Sequence, residues 1–195
     1  MPPTRAFVTH NLRWNPFEEL PLEERHLIAV EIPELELKIG HAILILGEKG
    51  RGKTTHLLKL RQQHPNAPYI YLPEFGTQPR VPKADLIFLD EAQRLPHFFR
   101  RQIWKRAKSW VIASHQNHQD ELRRAGFTTQ ILHLHGLSLG KLEQIMQRRL
   151  EWARRNAGDL PQVPTQILEA LLKQYHDDLR SIEDALYTYY QNLEV

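Results

Sequence analysis

Short runs of consecutive apolar residues alternate with polar stretches between residues 42 and 134. The runs are residues 42–46, 69–72, 86–89, 110–113 and 131–134. Strands buried on both faces of a parallel sheet have this continuous apolar pattern, because helices cover the sheet on both sides. The stretches between them predict helices over residues 53–63 and about 96–107. The sequence therefore predicts an α/β core with a mostly parallel five-stranded sheet flanked by helices.

After residue 134 the apolar positions recur at helical spacing instead of in runs. Leu142, Ile145, Met146 and Leu150 begin one such series, and a second series covers residues 167–175 after a break at Gly158-Asp159-Leu160-Pro161. A third helix is expected from about Leu179 to Tyr190. These helices predict a small C-terminal all-helical subdomain.

The first 34 residues are proline-rich and irregular, with one candidate short helix that opens at Glu18 and runs toward Ile28. They predict an N-terminal arm. The expected organisation is thus an arm over residues 1–34, the α/β core over residues 35–136 and the helical subdomain over residues 137–195.

Composition narrows the class of protein further. A chain of 195 residues with 41% hydrophobic content can bury a core, and it contains no cysteine. Disulfides and thiolate chemistry are therefore excluded, as suits a reducing compartment. No run approaches the roughly 20 apolar residues of a membrane span, and the N-terminus lacks the apolar segment of a signal peptide. We expect a cytosolic protein without a membrane partner.

The segment between the first predicted strand and the first predicted helix matches the complete phosphate-loop pattern. Glycines allow successive backbone N–H groups to face a phosphate, and the following helix N-terminus adds its positive end. We expect Lys53 to reach the β- and γ-phosphates, Thr54 to place its hydroxyl on Mg²⁺, and Thr55 to lie near the α-phosphate. The predicted nucleotide-binding residues are Gly47, Glu48, Lys49, Gly50, Arg51, Gly52, Lys53, Thr54 and Thr55.

An adjacent pair of carboxylates, Asp90 and Glu91, ends the third apolar run. At the carboxyl edge of a parallel sheet the pair would lie beside the phosphate loop. Asp90 would hold Mg²⁺ through water, and Glu91 would orient and deprotonate the water that attacks the γ-phosphate. The acidic pair favours an ATPase over kinases and Ras-like GTPases. The absence of an Asn-Lys-x-Asp motif further favours ATP over GTP.

Polar and basic residues that follow the fourth apolar run complete the candidate site. Ser114 and His115 would lie between the phosphate loop and the Asp90 edge, where Ser114 is the candidate γ-phosphate sensor. The alternative is that both merely cap a turn. Arg123 and Arg124 are candidate arginine fingers for a neighbouring subunit, and Arg180 is a candidate nucleotide contact from the helical subdomain. If a finger is supplied in trans, the protein is a homo-oligomer.

Taken together, these motifs resemble those of AAA+ ATPases over roughly residues 39–190. Residues 47–54 resemble Walker A, Asp90 and Glu91 resemble Walker B, and Ser114 resembles sensor 1. The segment from Leu122 to Phe127 resembles the arginine-finger region, and Arg180 resembles sensor 2. The resemblance also implies that residues 15–17 pack near the adenine.

ABC-type ATPases are the alternative family, because Ser114-His115 after Asp90-Glu91 also resembles their switch histidine. The segment between Thr55 and Asp85, however, is too short for the helical domain that carries the ABC signature.

Three uses of ATP stay open: a DNA-associated regulator or motor, a protein remodeller, and a slowly hydrolysing nucleotide-gated switch with an unknown protein partner. The stretches 98–106 and 148–155 interleave cations with aromatic residues, as suits phosphate backbones, although salt-bridged helix faces explain them equally well.

Overall fold

The computed structural model describes residues 5–30, 32, 35 and 37–192. The strands are β1 (His41–Leu46), β2 (Tyr69–Tyr71), β3 (Ala84–Asp90), β4 (Ala107–Ser114) and β5 (Thr128–His133). The helices are α1 (Arg5–Thr9), α2 (Lys53–Arg61), α3 (His97–Trp104), α4 (Gln119–Arg124), α5 (Leu139–Ala153), α6 (Thr165–Tyr175) and α7 (Leu179–Gln191). Short 3₁₀ helices cover Arg25–Ile28 and Ala92–Arg94.

The five strands form one parallel sheet in the order β2-β3-β4-β1-β5. Each strand contains one of the apolar runs or nearly all of it, so the predicted α/β sheet is confirmed. In this order β4 lies between β1 and β3, with Leu46 opposite Ser114 and Leu89 opposite Ile112. The carboxyl ends of β1, β3 and β4 therefore meet at one edge of the sheet.

The continuous apolar runs are explained by burial on both faces of the sheet. Along β1, Leu44 joins a cluster with Trp104 and Trp110 on one face, whereas Ile43 and Ile45 join the cluster on the other face. All five side chains are almost completely buried. A strand covered by helices on both sides has no solvent-facing positions, so its sequence does not alternate.

The chain divides into two compact units, one within residues 31–135 and one that joins described residues of 1–30 to those of 136–195. The second unit is built on α5, α6 and α7. Its core contains buried residues from these helices, among them Leu142, Leu168 and Leu186. Phe7 and Leu12 from the N-terminal region are buried in the same core.

Two local features of the N-terminal region differ from the sequence-based expectation. The predicted helix from Glu18 toward Ile28 is reduced to turns and the 3₁₀ helix Arg25–Ile28, while α1 was not predicted at all. Pro21 accepts backbone hydrogen bonds from Glu24 and Arg25, which makes a turn at this point instead of a longer helix. Residues 1–4, 31, 33 and 34 of the predicted arm, and residues 193–195, lie outside the described residues.

Within the described part of the chain, no helix has the length and apolar character needed to cross a membrane.

Candidate active site

The loop between β1 and α2 has the backbone that a phosphate cradle requires. Gly50 and Gly52 have φ angles of 82° and 78°, in the left-handed region that side chains disfavour. At Gly47 a side chain would place its Cβ 2.9 Å from the Leu134 carbonyl oxygen, closer than ordinary van der Waals contact. The glycines are therefore needed for the shape of the loop.

Lys53 begins α2 and folds back over this loop. Its side chain is buried, and its Nζ donates to the Glu48 carbonyl oxygen (2.8 Å) and lies 3.2 Å from His115 Nε2. Burial lowers the pKa of Lys53 and, in the same way, the pKa of His115. A neutral His115 can accept a hydrogen bond at Nε2, which agrees with the short contact to an ammonium group.

Asp90, at the end of β3, is fully buried and receives three hydrogen bonds. Thr54 Oγ1 (2.7 Å) and Tyr69 OH (3.0 Å) both donate to Oδ2, while the backbone N–H of Glu91 donates to Oδ1 (3.0 Å). Burial raises the pKa of Asp90, and the Thr54 and Tyr69 hydrogen bonds oppose that shift. P-loop proteins bind Mg²⁺ with a hydroxyl and a carboxylate that lie close together, so Thr54 and Asp90 fit this ion.

Glu91 has a φ angle of 62° in the left-handed region, which is unusual for a residue with a side chain. Its Oε2 accepts a hydrogen bond from Gln93 Nε2 (2.7 Å) and forms an ion pair with Arg94 Nη2 (3.0 Å). Arg94 also donates to the Leu72 carbonyl oxygen (2.7 Å) and to the Tyr71 hydroxyl (3.1 Å). The side chain of Glu91 is therefore held by its own following turn.

Ser114 lies at the end of β4, next to this turn. Its Oγ donates to Gln93 Oε1 (3.1 Å) and lies 3.1 Å from His118 Nε2. Burial lowers the pKa of His118 to about 4, so the ring is neutral at pH 7. The structure thus brings Lys53, Asp90, Glu91 and Ser114 to a single edge of the sheet, as the sequence predicts.

The three candidate arginines are distributed over both compact units. Arg123 and Arg124 lie in the last turn of α4, where Arg123 Nε donates to Thr129 Oγ1 (3.1 Å) and Arg124 is exposed. Arg180 is exposed near the start of α7 in the helical unit. Their roles as arginine fingers or nucleotide contacts stay predictions.

Several side chains that hold the site were not found from the sequence: Tyr69, Gln93, Arg94 and His118. Gln93 and Arg94 follow Glu91 by only two and three residues, and they fold back on it because Ala92–Arg94 is a 3₁₀ turn. Spacing alone did not reveal this contact. Tyr69 stands in β2, and its alignment opposite Phe88 is known only from the strand register.

The basic stretches that suggested nucleic acid are partly committed to internal contacts. Arg100 is buried and donates to the Leu95 carbonyl oxygen (2.9 Å) and to Glu121 Oε1 (3.2 Å). Arg149 is likewise buried, with its Nη2 2.7 Å from Glu183 Oε1. These two cations are therefore unavailable to a phosphate backbone.

The sheet order and the glycine loop after β1 give this chain the fold of the AAA+ P-loop NTPases. Among solved structures, it is similar to the Holliday junction branch migration motor RuvB of Thermotoga maritima. The sequences are 17% identical, the match covers 75% of this chain and 53% of RuvB, and the TM-score is 0.52.

An arginine-to-alanine variant of the same RuvB gives 15% identity, the same two coverages and a TM-score of 0.53. The chain spans about half the length of these structures, and at such low identity the likeness establishes the fold alone. No protein-family model matches the sequence, and no curated protein matches it.

Proposed function

We propose that this protein binds ATP with Mg²⁺ and hydrolyses it. The observation that carries the proposal is the set of contacts at one sheet edge: Lys53 over the glycine loop, Thr54 on Asp90, and Glu91 directly after Asp90. A lysine, a hydroxyl and two carboxylates in this arrangement are the groups that phosphoryl transfer to water requires.

The roles of the binding residues follow from their present partners. Lys53 would exchange the Glu48 carbonyl and His115 for phosphate oxygens, because a buried ammonium gains more from an anion than from neutral acceptors. Backbone N–H groups of residues 47–55 would surround the remaining phosphate oxygens. Thr54 and Asp90 would hold Mg²⁺, which would supply positive charge that offsets the charge of the phosphates. Glu91 would take the proton of the attacking water, and Ser114 would position the reacting groups.

The first experiment measures ATP hydrolysis for wild type, Glu91→Gln and the control Glu169→Gln, whose side chain is exposed on α6. We expect Glu91→Gln to lower kcat by about 100-fold or more, in line with the loss of a general base, while ATP binding persists. The control should match wild type. Equal rates in wild type and Glu91→Gln would refute the proposal, and ATP binding without turnover would instead identify a nucleotide-gated switch.

We also propose that the active form is a homo-oligomer, in which Arg123 or Arg124 of one subunit acts at the site of its neighbour. The support is that both side chains are exposed, and Arg124 makes no ion pair within the described residues. The rate per molecule should then rise with protein concentration and should fall in Arg124→Ala. A rate per molecule that is independent of concentration would contradict this assembly.

DNA is the second partner that we propose, and here a specific surface supports it. A cavity of about 550 Å³ beside the start of β3 is lined by Arg80, Pro82, Lys83 and Arg106. Arg106 Nη1 is oriented by the Val81 carbonyl oxygen (3.0 Å), and no carboxylate of the described residues forms an ion pair with these three cations. Unpaired cations in a concave surface suit backbone phosphates.

The test is binding to a labelled duplex across salt concentration, with ATP present. Replacing Arg80 and Lys83 by Gln should weaken binding and reduce the slope of log affinity against log salt by about one per lost phosphate contact. Lys173→Gln, an exposed change on α6, is the control. A salt slope that is unchanged by the pocket variants would exclude this surface. A cytosolic location stays our proposal from the cysteine-free sequence.

A further inference from the structure

Gln93 contacts both of the side chains to which we assign the chemistry beyond binding. Its Nε2 donates to Glu91 Oε2 (2.7 Å), and its Oε1 accepts from Ser114 Oγ (3.1 Å) and from the His115 backbone N–H (3.2 Å). The orientation of the amide is fixed by chemistry, because turning it over would place an oxygen against the Glu91 carboxylate and an NH₂ against an N–H donor.

The turn that carries Gln93 is itself held from two sides. The Arg94 backbone N–H donates to the Glu91 carbonyl oxygen (2.9 Å) inside the turn. From α3, Arg100 Nη2 donates to the Gln93 carbonyl oxygen (3.2 Å) while its Nε donates to the Leu95 carbonyl oxygen. Because Arg100 is buried, water does not compete for these hydrogen bonds. The Gln93 side chain therefore projects from a fixed base.

The contacts divide the two oxygens of Glu91 between different tasks. Oε2 is occupied by Gln93 and Arg94. In the described part of the chain, no protein donor contacts Oε1. Oε1 is thus the oxygen left to accept a proton from water, and the position of Oε1 is set by what holds Oε2.

We propose that Gln93 is a positioning residue that fixes the carboxylate of Glu91 relative to Ser114 at the end of β4. The inference rests on the proposed ATP hydrolysis. It goes further by naming the residue that links the base to the adjacent strand, so that a displacement of Ser114 or His115 is passed to Glu91 through one amide group.

The test variant is Gln93→Met, which keeps the length of the side chain and removes both hydrogen-bonding groups. Gln102→Met is the matched control, because Gln102 is exposed on α3 and makes no side-chain hydrogen bond among the described residues. We expect Gln93→Met to lower kcat by about 10- to 100-fold, as for a misplaced reacting group, with the KM and the Kd for ATP nearly unchanged. The control should leave all three constants unchanged.

A double-mutant cycle separates positioning from a merely structural role. If Gln93 acts through Glu91, adding Gln93→Met to Glu91→Gln should cost little further rate in single-turnover experiments with excess enzyme. In ATP-free protein, the side-chain NH₂ resonances of Gln93 should shift in Ser114→Ala, which gives a readout independent of hydrolysis. A structural role would instead reduce ATP affinity and thermal stability together, and its effect would add fully to that of Glu91→Gln.

The outcomes distinguish the two proposals. Hydrolysis that depends on Glu91 but keeps its kcat in Gln93→Met would overturn the inference and leave the proposed function intact. Additive losses in the double variant would also overturn the inference. Hydrolysis that does not depend on Glu91 at all would overturn the proposed function, and the inference would fall with it.

Discussion

Both compact units bury long basic side chains, and two of these cations, Lys53 and Arg149, differ in their partners. In the sheet unit, Lys53 is held by a carbonyl oxygen and a neutral imidazole. In the helical unit, Arg149 pairs with the Glu183 carboxylate at 2.7 Å and also donates to the Glu18 carbonyl oxygen (2.9 Å). Burial raises the pKa of Glu183, and the adjacent Arg149 opposes that shift.

The difference shows why burial of a charge does not by itself mark a functional site. Arg149 has an anionic partner, Glu183, and this pair joins α5 to α7. Lys53 has no ion-pair partner within the described residues and is positioned over a glycine loop. A buried cation with neutral partners is prepared to receive an anion, whereas a paired one is already satisfied.

The largest effect is expected from breaking the paired cation. Arg149→Met leaves Glu183 buried without its partner, so the free energy of unfolding should fall by about 3–5 kcal/mol. Urea unfolding measures this change. Arg155→Met, at an exposed position, should lie within about 0.5 kcal/mol of wild type. A loss below about 1 kcal/mol for Arg149→Met would mean that the pair contributes little to folding.

Lys53→Met should weaken ATP binding without destabilising the fold, in contrast to Arg149→Met. Removing charge-assisted hydrogen bonds should weaken ATP binding on the order of 100-fold. The free energy of unfolding without nucleotide should stay equal or rise, because the variant has no ammonium group that must lose its water on folding. Fluorescent-nucleotide titration and urea unfolding measure the two quantities. Lys59→Met on the exposed face of α2 is the control. If Lys53→Met lowered the free energy of unfolding as much as Arg149→Met does, the proposed difference between the two cations would be wrong.

A pH dependence sharpens the comparison within the sheet unit. The pKa of His118 falls from its ordinary value near 6.5 to about 4 because of burial. Between pH 6.5 and 4, His118 therefore binds a proton in the unfolded chain but not in the folded one. The folded state is fully stable with respect to this group above pH 6.5 and loses stability as the pH falls toward 4.

The His118→Leu variant should have a slope of unfolding free energy against pH that is smaller than in wild type by up to about 1.4 kcal/mol per pH unit in this window. Only the slope is compared, since the substitution also removes the contact with Ser114. Parallel curves for the two proteins between pH 6.5 and 4 would show that His118 does not titrate as a buried neutral base.

The smallest predicted effect concerns Tyr69. Its hydroxyl donates to Asp90 Oδ2, the same oxygen that Thr54 contacts. Tyr69→Phe should leave Asp90 less well oriented. The Mg²⁺ concentration needed for half-maximal ATP hydrolysis should therefore rise by about 10-fold or less, as for loss of one hydrogen bond to a charged group. Titrating ATP hydrolysis with Mg²⁺ measures this, with Tyr189→Phe as the control. An unchanged Mg²⁺ requirement would show that Asp90 is positioned without Tyr69.

The strands and the glycine loop were predictable because their signals are local. Each apolar run is short, continuous and bounded, and the loop pattern occupies consecutive residues. The hydrogen bonds of Gln93 were not predictable, because they depend on the left-handed backbone at Glu91 and on the neighbouring β4. The same holds for Arg100 and Arg149, whose partners Glu121 and Glu183 are distant in sequence. Patterns report which faces are buried, but they do not report which polar groups meet there.

The helical unit draws its core from both ends of the sequence, and this has a consequence for the order of events during synthesis. Phe17 packs against Tyr190, with ring centroids 5.0 Å apart, and Leu12 and Leu186 share the same core. A nascent chain that ends near residue 160 contains α5 but lacks α6 and α7, so Phe17 has no Tyr190 to pack against and the core stays incomplete until α7 has been synthesised. The sheet residues need nothing beyond β5 for their strand pairing, so they can fold earlier.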